Sequence, residues 1–381
     1  MSETTPEVHE TPLGGILRDE LARAGRMTFR DFMERALYDP RHGYYARGAA
    51  RVGRSGDFFT NVSVGPLFGT LLARQFNEIW ERLGRPQPFT IVEQGAHDGR
   101  FAHDMLNALR KLAPECSAAA EYFIVEPFPE LRERQRLTLA AEDRVRWTDS
   151  LDALPSFTGV HFSNELLDAF PTHLIHYDAT GWRERWVEWQ NGQFTFTDGP
   201  LSSDSLVAAV AEIGPRSPGY STEMNLAARQ WPGDVARKME RGFVLPIDYG
   251  HARSEFYAPE RSTGTLRAYS RHRVVPDPLA RPGTVDLTAH VEFTSLVEAA
   301  ETAGLRLHGF TDQHHFFVGL GRLHFPDGIV PDAAEMREFK TLMHPSLLGL
   351  SFKVLALEKG LPPGPPLSGF GLSGDARRQL A

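Results

Sequence analysis

Two carboxylates stand where apolar runs end in the first half of the chain. Ile91-Val92-Glu93 leads into Gln94-Gly95-Ala96-His97-Asp98-Gly99-Arg100, and Ile124-Val125-Glu126 runs into a proline. Glycine after a strand lets the backbone approach a ligand closely, and an acid such as Glu93 can hold a charged amine. Glu126 has the chemistry to accept both hydrogen bonds of a ribose diol. Two further runs end in Asp149-Ser150-Leu151 and Ser163-Asn164-Glu165. Polar residues after four successive strands point to a nucleoside-containing cofactor, although exposed strand ends are polar in any protein.

The spacing narrows the ligand. A dinucleotide fingerprint needs G-x-G-x-x-G to cradle a pyrophosphate at a helix N-terminus. Here Gly95, His97 and Gly99 follow a glutamate, which suits an ammonium-bearing ligand better than one bearing phosphates. No G-x-x-x-x-G-K-[ST] occurs, so the P-loop option falls. Glu165 and Asp168, three apart, share a face if their segment is helical; acids stabilising a helix N-terminus are the alternative. Asp286 and His290, four apart, would open a helix and line the same cleft, or serve only as a cap and a solvated histidine. Asp57-Phe58, in a glycine-rich loop, reads as a lid over the cofactor or as core packing. His314-His315 and His173/His176 have no third ligand at a recognisable spacing, so no metal site is expected.

These residues need a scaffold that aligns strand ends. From residue 89 short apolar strands alternate with helices: strands at 89–93, 122–126, 145–147 and 160–164, with helices to about residue 112 and over 131–140. That alternation predicts a parallel sheet with crossover helices, whose ligands sit at the carboxyl ends of the strands. Later strands are expected at 243–248, 305–310 and 352–357, with a helix over 289–303. Residues 182–189 alternate in period two, and Asn191-Gly192 is a strong hairpin turn before a return strand at 193–197. Upstream, Thr28-x-x-Asp31 reads as a helix cap, and 66–83 as a helix with Leu67, Leu71, Leu72, Ile79 and Trp80 inward. The domain plan is a helical region at 1–85 and an α/β core at 86–171 and 242–359. An antiparallel and helical insertion at 172–241 would grip substrate, and a disordered tail would cover 360–381. Trp182, Trp186, Trp189 and Trp231 in the insertion either pack it or meet a partner.

Taken in order, Gly56-Asp57-Phe58-Phe59-Thr60, Asn164-Glu165-Leu166-Leu167-Asp168-Ala169-Phe170-Pro171, Asp248-Tyr249-Gly250, Gly264-Thr265-Leu266, His272-Arg273 and the block Pro282 to Val291 resemble the MidA-like methyltransferases, a family that includes the mitochondrial assembly factor for respiratory complex I. The likeness covers about residues 27–360. It implies a class I S-adenosylmethionine (SAM) fold with a mostly parallel seven-stranded sheet, SAM as cofactor, and methylation of arginine on a protein, with a respiratory-chain subunit among the candidates. Guanidinium stays charged at any working pH, so an arginine acceptor needs carboxylates to anchor it. Glu165, Asp168 and His290 are the residues expected at the reacting centre. Asp57, Phe58, Glu93, Gly95, His97, Gly99, Glu126, Asp149, Ser150, Leu151 and Asn164 are expected around the cofactor. One departure stands out: the family loop is of the Gly-Pro-Gly-x-Gly type, whereas this chain places His97 at its middle glycine. The imidazole would either crowd the backbone or add a contact. A fold that binds without turnover, and a nicotinamide enzyme on the same sheet, are the competing readings.

Composition sets the outer limits. The 381 residues carry a formal net charge of -8, with 41% hydrophobic and 24% charged residues, ordinary values for a globular protein. A mildly acidic chain with arginines scattered among acids disfavours a nucleic-acid backbone as partner. Cys116 is the one cysteine, which excludes an internal disulfide and implies a reducing compartment. The N-terminal residues lack a secretory h-region and are too acidic for a transit peptide, and no run is long enough to span a membrane. A cytoplasmic location is therefore expected; a homodimer is admitted and the oligomeric state left open.

Overall fold

The computed structural model describes residues 11–47, 60–270, 273–325 and 331–381. These fall into two compact units. One holds residues 60–167, 229–254 and 291–381; the other holds 11–47, 168–228 and 255–290.

The first unit is an α/β sheet. Its strands are β1 (Phe89–Gln94), β2 (Ala120–Val125), β3 (Val145–Thr148), β4 (Phe157–Asn164), β5 (Met239–His251), β6 (Val291–Glu292), β7 (Arg306–Asp312) and β8 (Phe352–Lys359). Their order is β7-β8-β5-β4-β1-β2-β3, with the two-residue β6 on the end of β5. β8 is antiparallel to both its neighbours, while β1 to β5 are mutually parallel. The sheet is thus mixed and eight-stranded, where seven strands were expected; the extra one is too short to show as a periodic run. The strands read as near-continuous apolar runs because helices cover both faces. One face carries a phenylalanine cluster in which Phe101, from the Arg100–Leu112 helix, stacks on Phe162 of β4 with ring centroids 4.4 Å apart. Gly159 lets β4 and β1 close, since a Cβ there would lie 1.8 Å from the Thr90 carbonyl oxygen.

The second unit is antiparallel. Met27–Thr28, His173–Tyr177, Trp182–Gln190, Gln193–Gly199 and Ser221–Met224 make a five-stranded sheet. Asn191 and Gly192 both take positive φ, 52° and 80°, the primed turn whose twist matches the hairpin it closes. Thr28 Oγ1 accepts the Asp31 N–H at 3.1 Å and starts the Phe29–Tyr38 helix, whose buried Phe29, Phe32, Met33 and Leu37 pack with Val187 and Phe194.

Several expected boundaries move. Residues 60–85, placed with the N-terminal region, belong to the α/β unit through the Leu67–Arg82 helix. Residues 229–241 join it as well, and 255–290, read as core, fold with the antiparallel unit. The expected helix over 289–303 is the shorter Phe293–Thr302, capped by the Glu292 carboxylate, because Asp286–Thr288 is a strand. The tail is ordered: Leu367 and Phe370 are buried, the Ser368 N–H donates to Glu78 and the Gly369 N–H to Gln75. A proline-rich run hides this in the sequence, since the anchoring side chains come only after it.

Candidate functional site

β1, β2 and β4 end side by side, so their carboxyl ends place residues far apart in sequence on one edge of the α/β unit. After β1, Gly95, His97 and Gly99 take φ of 82°, 47° and 81°. Gly95 is exposed, and a Cβ on it would meet Leu166 Cδ1 at 3.3 Å. The loop therefore presents bare backbone beside the turn that follows β4. His97 adopts the left-handed conformation that favours glycine, at a cost on the order of 1–2 kcal/mol. Its neighbour Asp98 accepts the Arg100 side chain at 2.7 Å, and His97 and Arg100 outweigh burial to hold the Asp98 carboxyl down to about 2.

The two strand-end acids are both buried, and burial raises both carboxyls. Burial pushes the Glu93 carboxyl up to about 8, with Asp98 and Glu126 adding to the rise, although Tyr122 Oη donates to Glu93 Oε2 at 2.7 Å. Burial also raises Glu126, against hydrogen bonds from the Phe128 N–H (3.1 Å) and Gln135 Nε2 (3.0 Å). The Asp149 side chain is 73% exposed and ion-paired with Arg132. Ser150 accepts the Thr148 hydroxyl through its carbonyl, and Leu151 is buried in a short 3-10 turn. Asn164, closing β4, accepts from Asn61 Nδ2 at 2.8 Å and donates to Glu165 Oε1 at 2.7 Å; Gln313 in turn donates to Asn61.

Glu165 and Asp168 are not on a helix. Residues 165–170 form bends and turns, and Glu165 has φ 54°. A buried acid builds this turn: Asp248 Oδ2 accepts the N–H of Leu166 (3.1 Å) and Leu167 (2.8 Å), while the Glu165 N–H donates to the Ile247 carbonyl (2.9 Å). Glu165 lies in the α/β unit's share of the segment, which Leu167 closes, and Asp168 opens the antiparallel unit's.

Within the antiparallel unit, the Asp168 backbone meets the residue that precedes His290. The Asp168 carbonyl accepts the Ala289 N–H at 2.9 Å, and the His290 N–H donates to Thr265 Oγ1 at 3.0 Å. Glu223 holds that threonine's loop by accepting the Thr265 and Leu266 N–H groups. Asp286 and His290 do not start a helix; Asp286 is a buried strand residue accepting the Tyr45 hydroxyl at 3.1 Å. Burial, then Asp286, Tyr38 and Asp168, keep the Tyr45 phenol protonated well above its usual range. Asp57 and Phe58, the expected lid, lie outside the described residues, as does His272.

The sequence reading missed Gln135, Asp248, Asn61 and Tyr122. Asp248 sat in a quoted motif without a role; the others are single polar residues on apolar faces and carry no local signal. Trp182, Trp186 and Trp189 are half-buried and each is engaged within its unit. Trp182 donates to the Gly214 carbonyl, Trp186 lies under Arg26, and Trp189 meets Phe194. Trp231, 2% exposed, belongs to the α/β unit, where it donates to Gln94.

Comparison with known proteins identifies the scaffold. Residues 71–311 match the family model described as "Putative S-adenosyl-L-methionine-dependent methyltransferase". A crystal structure from Burkholderia thailandensis, described as a "likely methyl transferase" bound to S-adenosyl-homocysteine, is 35% identical, with TM-score 0.85 over 97% of each chain. The mitochondrial protein arginine methyltransferase NDUFAF7 of Homo sapiens is 25% identical over 92% of this chain and 85% of its own; the Drosophila melanogaster homolog is 27% identical over 91% and 84%. These relatives are named mitochondrial, which overturns the expected cytoplasmic location. No helix among the described residues is long and apolar enough to cross a membrane. SAM is the cofactor of this fold, and the nicotinamide alternative is set aside. The chain belongs to the S-adenosyl-L-methionine-dependent methyltransferase family that its ordered motif blocks resemble.

Proposed function

We propose that this chain methylates arginine on a protein substrate. The observation that carries the reading is the buried Asp168 on the antiparallel unit, in one cluster with Asp286 and Tyr45. Carboxylates grouped on one unit attract a cation, and guanidinium is a cation with five N–H donors. The relatives named as protein arginine methyltransferases support the same acceptor.

The residues after β1 and β2 fit SAM. Gly95 offers exposed backbone at positive φ, Glu93 would meet the ammonium, and Glu126 the ribose diol, with His97, Gly99, Ser150, Leu151 and Asn164 completing the site. Asp149, exposed and paired to Arg132, would contact adenine only at the rim. SAM supplies an electrophilic methyl group. Transfer breaks the sulfonium S–CH3 bond, forms an N–CH3 bond and leaves a neutral thioether, while the acceptor nitrogen loses one proton to a carboxylate or water. The chain's contribution is positioning and electrostatics. On the antiparallel unit Asp168 would anchor the guanidinium with His290 on that same unit, and Glu165, on the turn after β4, is the second carboxylate proposed to localise its charge away from the attacking nitrogen.

The antiparallel unit would recognise the protein substrate; a respiratory-chain subunit and a homodimeric assembly belong to this proposal. Radiolabelled methyl transfer from SAM to a host extract, followed by hydrolysis and amino-acid analysis, tests it. Labelled methylarginine is the expected product. Label in another amino acid overturns the arginine assignment, and no label with intact S-adenosylhomocysteine binding favours a binding protein.

A further inference from the structure

The helix Pro129–Thr138 buries Leu131 and Gln135 on its inward stripe. An apolar residue is the usual occupant of such a position, yet Gln135 is 0% exposed. Its amide is fully engaged. Trp147 Nε1 donates to Gln135 Oε1 at 2.9 Å, and Gln135 Nε2 donates to the His97 carbonyl at 3.1 Å and to Glu126 Oε2 at 3.0 Å. Indole N–H can only donate, so it fixes the amide orientation and leaves both Nε2 protons for the two acceptors.

We infer that Gln135 is the positioning residue of the cofactor site, one amide holding the His97 carbonyl and the Glu126 carboxylate in a single arrangement. Three strand ends meet there: the loop after β1, the acid after β2 and the indole on β3. The first contact explains how a histidine persists in a backbone conformation that favours glycine. His97 pays the left-handed backbone cost, and a hydrogen bond on its own carbonyl offsets part of it. The second contact sets the carboxylate plane. Phe128 N–H occupies one oxygen of Glu126 and Gln135 the other, which leaves a lone pair on each for the two hydroxyls of a diol.

The inference rests on Glu126 being the ribose ligand, so Glu126→Ala is the control. Gln135→Met keeps length and removes the amide. S-adenosylhomocysteine Kd should rise roughly ten- to hundredfold, the range for losing a hydrogen bond to a charged group. KM for SAM should rise in parallel while kcat stays within about threefold, since the amide acts on binding. The loss should be non-additive with Glu126→Ala, and His97→Gly should restore part of it in the Gln135→Met background. Trp147→Phe, which frees the amide to turn, should weaken binding in the same direction and serves if Gln135→Met does not fold. A Kd within about twofold of wild type in folded Gln135→Met, or in Trp147→Phe where Gln135→Met does not fold, overturns the inference, as do losses additive with Glu126→Ala. If Glu126→Ala itself leaves affinity unchanged, the site assignment fails instead.

Discussion

Asp248 Oδ2 accepts the Leu167 N–H at 2.8 Å, so an acid inside β5 shapes the turn that follows β4 and delivers Glu165 and Asp168. Oδ2 also takes the Leu166 N–H, and Oδ1 the Tyr249 N–H. Asp248→Ala leaves these donors without their acceptor, at about 1–3 kcal/mol for each one that stays buried. Urea melts should show at least about 2 kcal/mol of destabilisation, and methyl transfer should fall further than S-adenosylhomocysteine binding. An unchanged melt would remove Asp248 from this role.

Glu93 makes stability fall with rising pH. Its carboxyl is pushed up to about 8 in the folded chain by burial, from an ordinary value of 4.5, so the folded state holds a proton that the unfolded state releases between those limits. The slope of unfolding free energy with pH is negative across that window. Wild type should lose stability from pH 5 to pH 8 relative to Glu93→Gln, which has no proton to lose. Parallel denaturant melts at both pH values check the sign; a difference that does not grow with pH sinks the idea.

An ammonium ligand favours the ionised acid. Binding of S-adenosylhomocysteine at pH 7 should therefore release a proton through Glu93, seen as a dependence of calorimetric enthalpy on buffer ionisation enthalpy. Glu93→Gln should abolish that dependence.

Glu165→Gln and Asp168→Asn should abolish detectable methyl transfer while S-adenosylhomocysteine Kd stays within about tenfold, or 1.4 kcal/mol. Loss of cofactor binding in the same measure would move these residues from the acceptor side to the cofactor side.

The C-terminal segment should contribute to folding. Phe370, 1% exposed, packs on Phe316 with centroids 5.2 Å apart. Phe370→Ala should cost about 3–5 kcal/mol in a denaturant melt. A melt indistinguishable from wild type would return the tail to the disordered role expected of its prolines.

Local chemistry was enough to predict the α/β alternation, the Asn191-Gly192 hairpin, the Thr28 cap and the strand-end acids, because each rests on neighbours within a few residues: period, turn conformers, a side chain reaching its own backbone. Tertiary structure decided what depends on distant partners. Glu165 and Asp168 look helical by spacing, but Asp248, eighty residues on, holds them in a turn. Asp286 and His290 look like a helix start until Tyr45 and Thr265 claim them in other ways. Asp149 stands after its strand in the sequence, and only the fold shows that Arg132 pairs with it. Gln135 has no signature at all, because its role lies in three hydrogen bonds to residues on other elements. A buried polar group must find partners wherever the fold brings them. Sequence spacing shows which acids stand at strand ends; only the packed chain determines which of them are buried, neutral and aimed at one site.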